Sequence, residues 1–211
     1  MNLTTPIRQL RSGRAVGVFR SLAETLEGVE ILSDEERKRG EAFIHPISQK
    51  AFFMGRVLLR QVLREFVDEV ILEIGPHGKP RCRSSDAPAF NLSHTTDGIL
   101  AVFSPHGPVG ADMEPLNRQP KNPDRLAQKV FTDKERQRLA AGERDFLSLW
   151  TRKESVLKAM GTGFAGGAGT LETDEHVLRS GWRIEEFRLE SQQGAICVPK
   201  SVSLVLPKVL S

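Results

Sequence analysis

One succession of elements occurs twice along this chain, and it constrains the fold more than any single motif does. Ser33 followed by Glu36 matches a capping box at the head of SDEERKRGEAF, and Thr132 followed by Glu135 matches another at the head of FTDKERQRLAA. In such a pair the hydroxyl takes the amide of the third helical residue while the carboxylate returns to the amide of the cap, so each predicts a helix start. A long amphipathic segment follows each box. In QKAFFMGRVLLRQVLREFV, Phe52, Leu59, Val62, Leu63 and Phe66 form one apolar stripe, with Arg56, Arg60 and Arg64 at four-residue spacing on the other side. In DFLSLWTRKESVLKAMG, Phe146, Leu149, Trp150, Val156, Leu157 and Met160 form a second stripe, and Gly161 occupies the position after a helix that favours glycine.

Short β-branched or aromatic runs bounded by Gly, Pro, Asp and Ser fill the spaces between: VILEI, AFNLSH, GILAVF and VGADME. After the second long helix come WRIEEFRLE, AICV and SVSLVL, read as three further strands of the same half. The order strand, helices, strands therefore spans residues 15–103 and again 109–206, divided by SPHGP. The fold class expected is α+β, built as two similar halves, residues 1–108 and 109–211. With 39% hydrophobic residues the chain can fill a core of ordinary density, which excludes disorder as its resting state. Lys and Arg number 30 against 27 Asp and Glu, too small an excess to imply nucleic-acid binding by itself. Cys82 and Cys197 stand alone, without CxxC or a Cys/His cluster, which argues against a disulfide framework or a zinc site. No apolar leader and no run of 18 apolar residues is present, so a soluble, cytoplasmic protein without a membrane partner is expected. Tyrosine is absent, which removes the phenol from the available acids, bases and nucleophiles.

The segment GTGFAG (Gly161, Gly163, Gly166) satisfies GxGxxG in letter, with Glu185 some twenty residues on. That fingerprint must follow a strand and open a helix, whereas here a helix comes first, so a glycine-rich helix exit is expected. The informative constellation is acidic. Asp112 and Glu114 alternate with Ala111 and Met113 on a predicted strand, which puts both carboxylates on one face with Cα atoms roughly 7 Å apart. Standing alone, such a pair reads more simply as the solvated side of a strand, but the GPVG before it and the apolar alternate positions suggest a strand running into a cleft. Glu154 lies on the second long helix one turn from Trp150 and Lys158, and its plainer reading is a surface ion pair with Lys158. Three carboxylates together would suit a hard Mg²⁺ or Mn²⁺, with Lys153 and Lys158 close enough to neutralise phosphate oxygens. Ser93 and His94 are neighbours on a strand and point to opposite faces, so they are not a nucleophile and its base.

Four segments taken in order resemble one family. VGADME resembles (V/I)GxDxE, and LWTRKESVLKAMGTG resembles WxxKEAxxKxxG, both of the 4′-phosphopantetheinyl transferases of the surfactin-synthetase-activating type. HGKPR resembles that family's GKP segment and FNLSHTTDGILAVF its N(L/I)SH strand pair. The resemblance runs from about residue 33 to residue 165 and leaves the two ends without a recognisable signature. It implies two halves related by a pseudo-twofold axis, with coenzyme A and a metal ion in the cleft between them. It implies transfer of the phosphopantetheine arm to a serine of an acidic carrier protein, with release of adenosine 3′,5′-bisphosphate. Carried over by position, Asp112, Glu114 and Glu154 would hold Mg²⁺ or Mn²⁺. Glu154 would also take the serine proton, and Lys158 would contact the pyrophosphate. Lys79, Pro80, Ser93 and His94 would bind coenzyme A. In the first half Arg39 aligns with a basic contact, while Ala51 stands where the family has an arginine, leaving Lys50 or Arg56 to substitute. Two halves in one chain would make a monomer sufficient.

Two other readings share these residues. A Mg²⁺-dependent nuclease or phosphodiesterase would use the same acids and lysines. A nucleic-acid-binding module would use Arg56, Arg60 and Arg64 as a phosphate stripe, although a solvated helix face explains that stripe more simply.

Overall fold

The computed structural model describes residues 2–75, 77–163, 167–189 and 191–208. A first helix, α1 (Thr4–Arg11), leads into β1 (Ala15–Ser21), then α2 (Asp34–Glu41) and the long α3 (Pro46–Leu63). A small hairpin, β2 (Leu72–Ile74) and β3 (Pro80–Cys82), precedes β4 (Ala89–His94) and β5 (Gly98–Ser104). The second half begins with β6 (Gly110–Pro115), followed by α4 (Pro123–Val130), α5 (Asp133–Ala140), α6 (Phe146–Met160) and α7 (Thr173–Ser180). It closes with β7 (Trp182–Leu189), β8 (Gln192–Pro199) and the short β9 (Leu204–Val205).

Both capping boxes form: Ser33 and Thr132 accept from the amides of Glu36 and Glu135, and those carboxylates return to the cap amides. Gly161 ends α6 in the left-handed region at φ 73°, where a side chain is strained. The halves repeat one another in strand pairing. β1 lies antiparallel to β5, and β5 to β4; in the same way β6 pairs with β8, and β8 with β7.

Side-chain alternation on β5 shows how the halves join. Ile99, Ala101 and Phe103 face Met54, Leu58, Leu59 and Val62 of α3. Leu100 and Val102, on the opposite face, pack with Phe19 against Ala111, Met113, Ile196 and Val198 of the second half's sheet. β8 alternates likewise, sending Cys197 to Val156 and Ala159 of α6. Four layers result: α3, one sheet, the other sheet, α6.

The last strand departs from expectation. Instead of extending the second half's sheet, β9 runs parallel to β1 and completes the first, with Ala15 opposite Leu204. Leu204 and Val202 pack into the apolar layer between the sheets, and Pro207 rests on Gly17, where a Cβ would lie 2.8 Å from the proline ring. No described helix is long and apolar enough to cross a membrane.

Candidate functional site

The acidic strand meets the second long helix at a glycine. A Cβ at Gly110 would overlap the carbonyl of Ser155 and the amide of Ala159, so β6 crosses α6 at a distance only glycine allows. Alternation then sends Asp112 to the helix side of the strand while Ala111 and Met113 enter the inter-sheet core. Asp112 is 5% exposed; its Oδ1 accepts from Lys158 Nζ at 2.7 Å and from Ser93 Oγ at 3.1 Å, and its Oδ2 is buried with no hydrogen-bond partner. Glu154, one turn before Lys158, is pushed up to about 7 by burial and by the negative charge of Asp112, against the pull of Lys158 and Arg118. Glu114 is ion-paired with Arg118, whose guanidinium lies 4.9 Å from the Trp150 ring centroid.

From the first half, β4 lays two side chains against the free edge of β6. Asn91 Oδ1 accepts from Ala111 N at 2.8 Å, and Ser93 Oγ accepts from Met113 N at 3.2 Å. Lys79, on the β2–β3 loop, donates to Val109 O at 2.8 Å and to Lys158 O at 2.6 Å. Burial and the nearby Lys158 charge bring Lys79 down to about 8. Lys79 and Pro80 also line a cavity of about 500 Å³ with Cys82, Phe90, Met160 and Thr162. His94 is exposed at the end of β4, and partial desolvation with the Lys158 charge holds its pKa below the usual histidine range.

Two of the remaining basic residues, Arg39 and Arg56, meet at Phe52. Arg39 and Arg56 place their guanidinium carbons 5.8 and 5.2 Å from its ring centroid, with Arg39 exposed and Arg56 only 8% exposed. Arg56 also lines a pocket of about 130 Å³ with Ser93 and His94, which links it to the acidic site. Lys50 is half-buried on α3, and Ala51 beside it belongs to the core.

Several expectations need correction. The arginine stripe of α3 is not a solvated face or a phosphate ladder: Arg56 is buried on Phe52, Arg60 pairs with Glu36 at 2.6 Å, and Arg64 alone of the three is exposed. Lys153 does not face the acidic site. Five helical residues turn through about 500°, so Lys153 stands some 140° from Lys158, fully buried with Glu135 at 2.6 Å and the carbonyls of Ala168 and Leu171. GTGFAG opens at the exit of α6, as expected, with Gly161 in the left-handed region; Gly166 itself lies outside the described residues. Sequence reasoning missed Asn91 and Arg118. The Asn-x-Ser spacing on β4, two polar side chains on one face of an otherwise apolar strand, was the signal for the first.

A divalent cation would find oxygen donors at Asp112 and Glu154, and the buried, unpartnered Oδ2 of Asp112 fits such a role. Among the described residues no three His, Cys, Asp or Glu side chains already stand together as a metal cluster, and Glu114 is held by Arg118 instead.

Comparisons with known proteins give the family of the chain. The family described as the 4′-phosphopantetheinyl transferase superfamily matches residues 108–199, the stretch carrying β6, α6 and β8. The Synechocystis protein slr0495 is 32% identical over 186 residues, covering 78% of this chain and 75% of that protein. The 4′-phosphopantetheinyl transferase AcpT of Salmonella typhimurium is 30% identical over 167 residues, covering 75% and 81%. The 4′-phosphopantetheinyl transferase psf-1 of Bacillus pumilus is 32% identical over 146 residues, covering 64% and 60%. With its acids and lysine at the crossing of β6 and α6, this chain is an enzyme that belongs to the 4′-phosphopantetheinyl transferase superfamily.

Proposed function

We propose that this chain transfers the 4′-phosphopantetheine group of coenzyme A to a serine hydroxyl of an apo carrier protein, with Mg²⁺ or Mn²⁺, releasing adenosine 3′,5′-bisphosphate. The observation that supports this most is the meeting of Asp112, Glu154 and Lys158 at one crossing, with an unpartnered carboxylate oxygen among them. The serine oxygen bonds to the β-phosphorus, and the bond from that phosphorus to the bridging oxygen breaks. Protein groups in such a reaction mainly position the reactants and neutralise charge. Glu154 accepts the serine proton: in the metal-free chain burial and the charge of Asp112 make its carboxylate a stronger base than an ordinary glutamate. Lys158 turns its ammonium from Asp112 to the pyrophosphate, and His94 borders the same space. Asp112 and Glu154 would hold the cation, with Glu114 contributing once its Arg118 pair opens; the cation supplies charge neutralisation at the phosphate oxygens. Lys79 and Pro80 border the cavity offered to the rest of coenzyme A. Two free thiols, Cys82 and Cys197, suit a reducing compartment such as the cytoplasm.

The test is incubation with coenzyme A, MgCl₂ and an apo carrier protein of acidic, helical type. A mass gain of one phosphopantetheine on the carrier serine is expected, lost in EDTA and lost with Asp112→Ala. No gain on any of an acyl, a peptidyl and an aryl carrier would overturn the reading.

A further inference from the structure

An antiparallel strand directs the amides and carbonyls of alternate residues to opposite edges. In β6 one edge belongs to β8, opposite the run Gly110 to Pro115. The other edge, reached by Val109, Ala111 and Met113, is occupied by side chains from the first half. Lys79 takes the carbonyl of Val109, Asn91 the amide of Ala111, and Ser93 the amide of Met113. These are three successive positions on one edge of the strand that carries Asp112. The same groups reach further: Ser93 donates to Asp112 Oδ1, and Lys79 donates to the carbonyl of Lys158. Asn91 and Ser93 share a face of β4 with period-two spacing, opposite Val102 and Leu100 of β5, so they rise from the sheet face on which β6 lies.

We propose that Lys79, Asn91 and Ser93 are positioning residues: a side-chain ladder across the seam that fixes the register of β6 and so sets Asp112 against Lys158. Ser93 and Lys79 then hold protein groups of the second half. Ser93 has its proton on Asp112 and its acceptor side on Met113. Lys79 meets two carbonyls in a half-buried place, a cation already supplied with partners. Removing one rung exposes a strand amide or carbonyl without a partner, which loosens β6 locally while the β8 edge stays paired.

The kinetic part of this inference rests on the transferase reading; the exchange part does not. Full-length Asn91→Ala, Ser93→Ala and Lys79→Met would be compared with Ser93→Thr and Lys79→Arg, which keep a hydroxyl and a donor. Amide hydrogen exchange resolved to single residues should rise at least about tenfold at Ala111 in Asn91→Ala and at Met113 in Ser93→Ala, as loss of about one buried hydrogen bond requires. The Asp112 amide, on the β8 edge, should stay protected, and Ser93→Thr should restore Met113. In transfer assays kcat should fall in all three, with KM for coenzyme A held within about twofold in Asn91→Ala, the signature of misplaced reacting groups. Unchanged exchange at Ala111 and Met113 would overturn the proposal. So would a rise in KM for coenzyme A at constant kcat in Ser93→Ala and Lys79→Met, since that marks ligands of the substrate. If the chain transfers nothing to any carrier, the exchange result still decides the ladder. Should Ser93→Ala fail to fold, Ser93→Cys, which keeps the side chain but weakens the acceptor, makes the same comparison.

Discussion

Glu154 is the residue at which burial and charge pull hardest against each other. Its folded pKa of about 7 stands above the ordinary 4.5 because desolvation and Asp112 disfavour the anion more than Lys158 and Arg118 favour it. The folded chain thus retains a proton that the unfolded chain releases. Stability from this group is complete below about pH 4.5 and is lost as the pH rises through about 7. In EDTA, wild-type Tm should therefore fall between pH 5 and pH 8 relative to Glu154→Gln, which has no such proton; parallel Tm curves for the two would refute the shift. The same substitution should lower transfer by about 10²- to 10⁴-fold, the usual contribution of a proton acceptor. The cysteines separate just as clearly. Cys197 is buried between β8 and α6 and pushed up to about 12 by desolvation, whereas Cys82 is half-exposed. Iodoacetamide at pH 8 should label Cys82 alone in the native chain and both thiols in urea, read by mass. Rapid native labelling of Cys197 would mean that β8 opens. Asp112 and Glu114 could be assigned to one strand face from their spacing alone, because period two is local. That Glu114 would meet Arg118 could not, since side-chain reach around a turn leaves no such trace in the sequence.

At the scale of elements, the capping boxes do more than start helices. Glu135 is 1% exposed and, besides closing its box, accepts from Lys153 of α6 and from the amide and hydroxyl of Thr173 at the head of α7. Three helices are tied to one carboxylate. Removing its cation leaves a buried charge unpaired, so Lys153→Ala should cost about 3–5 kcal/mol in urea unfolding. Lys153→Met together with Glu135→Gln should cost less than the single change. If Lys153→Ala costs under about 1 kcal/mol, the tie is unimportant to stability. In the first half Glu36 closes its own box and meets Arg60, a half-buried pair, so Ser33→Ala should cost about 1 kcal/mol, the ordinary loss of a cap. Helix starts, the Gly161 stop and the runs β4, β5 and β6 were legible because caps and alternation are local rules. The partners of Lys153, Arg56 and Arg60 were not, since helix periodicity marks a polar face without saying whether another helix covers it. Local rules do not mark α1, α4 or α7, short helices whose apolar partners lie on distant segments.

For the molecule as a whole, the repeated order of elements was readable, but the way the halves join was not. SVSLVL carries an ordinary strand pattern, and nothing in it says that β9 crosses to β1. The continuous apolar run of β5 did hint at burial on both faces, as strands between two layers show. That burial makes the halves interdependent. Leu100 and Val102 pack against Ala111, Met113, Ile196 and Val198 of the second half, β9 lends the first sheet its last strand, and Gln192 Nε2 reaches Asp97 Oδ2 at 2.9 Å across the seam. A chain of residues 1–108 alone would expose the even face of β5, leave Asn91 and Ser93 without their strand, and lose β9. Exposing several such side chains forfeits about 1.5–3 kcal/mol each, comparable in sum to a domain's entire stability. The full chain should therefore unfold in a single transition, with near-UV and far-UV signals coincident in urea, and the 1–108 fragment should lack native near-UV ellipticity and associate on gel filtration. Two separated transitions, or a monomeric fragment with a cooperative melt, would show that each half carries its own stability and that the seam only brings two finished domains together.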